Sequence, residues 1–133
     1  MSISAITNKA NNGDVDAQCT LADIYADDTN LEIFDVSKAV YWYERVAEQG
    51  HTRAQWLLGA CYSQGIGIGV DQEKAEHWML KSAHSGDVEG QFNLGSFYFM
   101  KPDIVKAEYW IEKASNQGHV EAQSALGAIK LLM

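Results

Sequence analysis

Proline occurs once and cysteine twice in the 133 residues. A single proline excludes a proline-rich linker or a low-complexity chain. Two cysteines are too few for the disulfide framework of a small secreted domain. No apolar run approaches the roughly 20 residues that a membrane helix needs. The opening MSISAITNKANNGD has neither a basic start nor a long apolar stretch, so it does not read as a secretory signal. Cationic residues are scarce too: 10 Lys and Arg against 18 Asp and Glu leave a net charge of −8. That balance argues against nucleic acid and anionic membrane as partners, because both are held by basic patches. It permits a basic partner. The expected compartment is cytoplasmic.

What the chain does have is 47% hydrophobic residues, enough for one domain with a substantial core, and a repeating pattern. The stretch from Gly50 to Gly86 reads as one unit of two helices. Asp71-x-x-Lys74-Ala75-x-x-Trp78 recurs as Asp103-x-x-Lys106-Ala107-x-x-Trp110, and earlier as Asp35-x-x-Lys38-Ala39-x-x-Trp42. Gly50-His51-x-x-Ala54-Gln55 with Leu58-Gly59 recurs as Gly118-His119-x-x-Ala122-Gln123 with Leu126-Gly127. Self-similarity on this scale is the signature of a solenoid of helix pairs.

In the first helix of each pair the apolar stripe is Ala17, Leu21, Ile24, Tyr25; then Ala54, Leu58, Cys61, Tyr62; then Gly90, Leu94, Phe97, Tyr98. The last copy has Ala122, Leu126, Ile129 and, in place of the tyrosine, Lys130. Gly59, Gly95 and Gly127 lie in mid-helix, where glycine costs about 1 kcal/mol against alanine. Close approach of the partner helix is the expected compensation. The second helix opens on an Asp, which suits the N-cap. Its buried face is Ala39, Trp42, Tyr43, Ala47; then Ala75, Trp78, Met79, Ala83; then Ala107, Trp110, Ile111, Ala114. It ends at Gly50, Gly86 or Gly118, read as left-handed C′ glycines. Ile3, Ile6 and Ala10 make a short stripe in front of the first repeat and predict a capping helix.

These spaced positions resemble the Sel-one-like repeat, a relative of the tetratricopeptide repeat, over residues 13–133. The connectors vary in length, and the middle copy alone carries the Gly65-x-Gly67 turn. The resemblance implies a scaffold or adaptor that recognises proteins on a curved surface. A disulfide-rich subset of the family is linked to β-lactam binding, but Cys19 and Cys61 do not supply its paired cysteines. The reading is an all-α, right-handed superhelix of about three and a half repeats in a single domain 1–133. Its parts are a cap at 1–12, repeats at 13–49, 50–85 and 86–117, and a half repeat at 118–133. Helices are expected over about 14–26, 36–49, 51–64, 72–85, 87–100, 103–117 and 119–131, with Trp42, Trp78 and Trp110 in equivalent, largely buried sites.

Catalytic candidates are weak. Gly65-Ile66-Gly67-Ile68-Gly69 follows a helix and precedes no Lys-Ser/Thr, so it reads as a turn between helices and not a phosphate loop. No two of the four histidines have the i, i+4 spacing that chelation on a helix favours. Neither cysteine has an activating base in view. No cofactor or metal is expected, and the reading is non-enzymatic.

Binding is expected on the concave face, which the first helices line in such solenoids. The positions proposed for partner contact are Asp16, Asp23 and Asp27; Arg53, Trp56 and Gln64; Glu89, Phe92, Phe99 and Met100; and Glu121. Trp56, Phe92, Phe99 and Met100 would be an apolar centre with acidic residues mainly on the amino-terminal side. An aromatic anchor in a polar rim suits a hot spot, although the same spacing suits aromatics packed between neighbouring helices. The partner is expected to be a protein or peptide; an inhibitor or immunity protein that occupies a toxin or enzyme is the alternative. The apolar run Ala128–Met133 predicts association with a second copy or a partner.

Overall fold

Each of the eight helices in the computed structural model, which describes residues 1–133, begins on a capping side chain. The helices are α1 (Ile3–Asn11), α2 (Val15–Ala26), α3 (Val36–Glu48), α4 (Thr52–Gln64), α5 (Gln72–His84), α6 (Val88–Met100), α7 (Ile104–Asn116) and α8 (Val120–Lys130). The caps are Ser2, Asp14, Asp35, His51, Asp71, Asp87, Asp103 and His119, each accepting from the backbone N–H three residues on. This satisfies one of the orphan donors every helix start carries. Gly13, Gly50, Gly86 and Gly118 turn the chain between repeats at φ of 89° to 93°. A side chain would be strained there, which is why the same residue returns at each turn.

The helices pack in chain order, each against the next, and α4 also touches α6 directly. This is a solenoid of helix pairs: α2 with α3, α4 with α5, and α6 with α7, with α1 and α8 at the ends. Leu21, Leu58 and Leu94 are each 0% exposed at the centre of their pairs. The mid-helix glycines show the close approach expected of them. A Cβ on Gly59 would lie 2.6 Å from Met79 Cγ, and one on Gly95 would lie 2.6 Å from Ile111 Cδ1.

The connectors within pairs, residues 27–35, 65–71 and 101–103, differ in length yet end in one hydrogen bond. The N–H of Asp35 donates to Tyr25 O at 2.9 Å, that of Asp71 to Tyr62 O at 2.9 Å, and that of Asp103 to Tyr98 O at 2.6 Å. The ammonium groups of Lys38, Lys74 and Lys106 sit 5.4, 5.5 and 5.2 Å from the ring centroids of the same tyrosines, within cation–π range. The recurring Asp-x-x-Lys and the distant Tyr are therefore one clasp.

One expectation needs correction. Trp42 and Trp110 are buried, but Trp78 is only partly so. Tyr41 and Tyr109 stand edge-on against the first two, and the His84 ring adds to the cover of Trp110. Trp78 has the smaller His77 ring in the tyrosine's place. At the carboxyl-terminal end, Ile129 is buried at 3% exposure while Leu131, Leu132 and Met133 lie open. Of the run Ala128–Met133 only Ile129, which turns inward on α8, is covered within the chain; Ala128 and the last three residues stay open.

Candidate functional site

The first helices of successive repeats are tied side by side. Asp23 on α2 accepts from the Arg53 guanidinium of α4 at 3.0 Å and from the Tyr43 hydroxyl of α3 at 2.8 Å. Burial, and then the Asp23 carboxylate, push the Tyr43 phenol well above its ordinary range, and the bond to Asp23 raises Arg53 further. On the other side Glu89 of α6 meets His119 Nε2 at 3.1 Å. The His119 ring stacks on Phe92, centroids 4.5 Å apart, while its Nδ1 caps α8. Of the proposed contact residues, Asp23, Arg53, Glu89 and Phe92 therefore join one repeat to the next, and Phe92 packs on the core.

The others, apart from the partly buried Trp56, are open to solvent. Asp16 and Glu121 sit exposed in the first turns of α2 and α8. Asp27 ends α2, where the Thr29 hydroxyl and backbone N–H hold its carboxyl below the usual carboxylate range. Trp56 is partly exposed and lies outside the core cluster. Phe99 and Met100 are 41% and 82% exposed at the end of α6. Gln64, Ala60 and Ser63 of α4 face Asn93, Ser96 and Met100 of α6 across a groove of about 500 Å³. The groove is lined by amides and hydroxyls over the apolar floor of Met79 and Phe97. It can offer hydrogen bonds to a peptide backbone and an apolar seat for a side chain.

Burial, and then Asp23 and Asp16, hold the Cys19 thiol above its ordinary range; burial alone does so for Cys61. Both are free thiols and poor nucleophiles as placed. No group of three His, Cys, Asp or Glu side chains could hold a metal ion, and no helix is long and apolar enough to cross a membrane.

Sequence reasoning missed the glutamines. The buried Gln18, Gln55 and Gln91 donate Nε2 to the carbonyls of Ala10, Ala47 and Ala83 in the preceding helix, at 3.0, 3.2 and 3.4 Å. Gln49 and Gln117 then donate to Gln18 Oε1 and Gln91 Oε1 at 2.8 and 2.7 Å. The signal was present in the repeated Ala-Gln pair: a polar residue inside an apolar stripe needs a partner.

This geometry is shared with known proteins. The sequence profile of the Sel1 repeat matches residues 15–51, 52–87 and 88–119. The chain belongs to the Sel1 repeat family. Sel1 repeats generally serve as protein–protein interaction modules. The chain is similar to c5321, a protective antigen present in uropathogenic Escherichia coli strains that displays an SLR fold, with TM-score 0.88 and 30% identity over 98% of this chain and 29% of that one. It is also similar to a Sel1 repeat protein from Oxalobacter formigenes, with TM-score 0.75 and 32% identity over 94% of this chain and 96% of that one. Among curated relatives, DAP3-binding cell death enhancer 1 of Rattus norvegicus is 27% identical over 72% of this chain. Protein sel-1 homolog 2 of Homo sapiens is 33% identical over 52% of it. The matches span 18% and 10% of the length of those two proteins.

Proposed function

We propose that the chain is a non-enzymatic recognition module that holds another protein, or an extended segment of one, on the face formed by α2, α4, α6 and α8. The observation that carries this reading is the contrast within that face. Its core positions (Leu21, Leu58, Leu94) repeat, while the positions beside them vary: Cys19, Trp56, Phe92 and Ser124 at one, and Ala26, Ser63, Phe99 and Leu131 at another. Met100 offers apolar surface at the amide-lined groove between α4 and α6, and Phe99 and the partly exposed Trp56 add to the apolar surface of those two helices. Apolar anchors inside a polar rim are where binding energy concentrates. One relative is named for binding a protein, DAP3, which accords with this class of function.

Charge has a smaller part than the composition suggests. Arg53 and His119 occupy Asp23 and Glu89, so Asp16, Asp27 and Glu121 are left to attract a basic partner. Such exposed carboxylates act mainly on the rate of approach.

The test is a photo-crosslinking residue placed at Phe99 and, in a second protein, at Tyr109, which is 55% exposed on α7. After irradiation in extract of the source cells, the Phe99 position should yield a discrete adduct that the Tyr109 position does not. An adduct from Tyr109 alone would move the binding surface to the second helices. Whether the captured protein loses an activity in the complex separates an inhibitor from a scaffold.

A further inference from the structure

The two ends of the solenoid carry complementary halves of a repeat. In α4 and α6 the middle glycine is pressed by the helix that follows, with Met79 over Gly59 and Ile111 over Gly95. At Gly127 in α8 nothing lies within 4 Å of an added Cβ. The neighbours agree. Leu21, Leu58 and Leu94 are sealed, but their counterpart Leu126 is partly open. Gln123 is exposed where Gln18, Gln55 and Gln91 are buried. All three features have one physical cause: the face of α8 that would take a second-type helix has none against it in these 133 residues.

At the other end, α1 has the register of a second-type helix. Ile6 stands the same distance before Gly13 as Tyr43 before Gly50, Met79 before Gly86 and Ile111 before Gly118. Ala5 holds the place of the tryptophans, and Asn12 that of Gln49 and Gln117. Ile6 is only partly buried, and with Met1, Ala17 and Thr20 it lines an open groove of about 390 Å³.

We propose that a second copy of this chain fills the face, α1 of one copy docking on α8 of the next so that Ile6 covers Gly127 and Leu126. This goes beyond the partner-binding face above, with which the groove around Ile6 shares Asp16. The register extends further. In the groove between α4 and α6, Ala60 and Ser63 lie across from Met79 and Asn93; head to tail, Ala128 and Leu131 lie across from Ile6 and Thr20. Leu131 is 88% exposed in the single chain, so the contact gains an apolar side chain where the internal groove has a serine. Asn12 comes opposite Gln123, as Gln117 lies opposite Gln91. A contact between two different faces along a solenoid does not close on itself, so growth continues past the dimer.

Sedimentation equilibrium over a concentration series tests this on the 133-residue chain. The average mass should rise steadily from 14.7 kDa through the dimer and beyond. Gly127→Leu fills space that is empty in the single chain and occupied in the assembly. It should keep its helical spectrum and remain monomeric. Added in excess to the wild type it should also shorten the assemblies, because its own α1 still caps a wild-type α8. Three results would each overturn the proposal: a mass fixed at the monomer up to millimolar concentration, Gly127→Leu assembling like the wild type, or a closed dimer that excess Gly127→Leu does not cap.

Discussion

Placing leucine at Gly95 and at Gly127 asks whether close helix approach is the reason for the mid-helix glycines. Leucine in place of glycine gains about 0.8 kcal/mol from helix propensity at either site. At Gly127 that is the whole effect, since nothing lies within 4 Å of the new Cβ. At Gly95 the first added atom would already lie 2.6 Å from Ile111 Cδ1 and Cγ1 and 3.1 Å from the Ile111 backbone nitrogen. The side chain can turn aside, but the backbone cannot, so α7 must move outward as a unit. Overpacking of this kind costs about 1–3 kcal/mol, and four new carbons belong at the upper end. Gly95→Leu should therefore lose about 2 kcal/mol while Gly127→Leu gains about 0.8. For a chain of this size the two melting temperatures should differ by roughly 10 °C. Thermal and urea unfolding followed by circular dichroism at low micromolar concentration, where association is suppressed, reads the difference. Equal shifts in the two variants, or a stabilised Gly95→Leu, would refute the argument that the second helix excludes a side chain there.

Two further outcomes follow from the links between repeats. Gln18→Ala leaves the Ala10 carbonyl and the Gln49 amide without their buried partner and should cost about 1–3 kcal/mol in urea unfolding, while the exposed Gln123→Ala should stay within about 0.5 kcal/mol of wild type. The phenols of Tyr43 and Tyr98 are raised in the folded state by burial and then by the carboxylates of Asp23 and Glu76; the folded chain therefore keeps protons that the unfolded chain releases near pH 10. Their stabilising effect is complete below about pH 10 and falls as pH rises above it. The urea midpoint should drop in that range, and Tyr43→Phe with Tyr98→Phe should flatten the drop.

The solenoid was legible because its determinants are local and repeated. An Asp or His cap, a glycine at the turn and an apolar stripe recur in register, and the expected helix spans agree with the observed ones to within about two residues at their ends. The contacts between first helices were not legible. Nothing in the spacing says that Arg53 reaches back to Asp23, or that His119 uses one nitrogen to cap α8 and turns the other to Glu89. Such pairs join residues about 30 apart and depend on how two helices lie side by side. The difference between Trp42 and Trp78 had a local signal, since a Tyr ring stands beside the first and the smaller His77 ring beside the second. Conversely, the recurring Gln was on view in all four copies and the Tyr with its Asp-x-x-Lys in three. Their meaning needed the fold, because each is half of a contact whose other half lies in another helix.

The most direct test of the account compares partner affinity for wild type, Trp56→Ala and Tyr109→Ala once crosslinking has supplied the partner. Both side chains present aromatic surface to solvent, Trp56 on α4 among the first helices and Tyr109 on α7 among the second. Trp56 is only partly exposed, so thermal unfolding recorded alongside separates a packing loss from a binding loss. Titration calorimetry should show Trp56→Ala weakened by about 2–4 kcal/mol, roughly 30- to 1,000-fold, as for a buried anchor. Tyr109→Ala should bind within about twofold of wild type, the range expected away from an interface. Undiminished affinity in a folded Trp56→Ala, with a large loss in Tyr109→Ala, would contradict the assignment of recognition to the first helices.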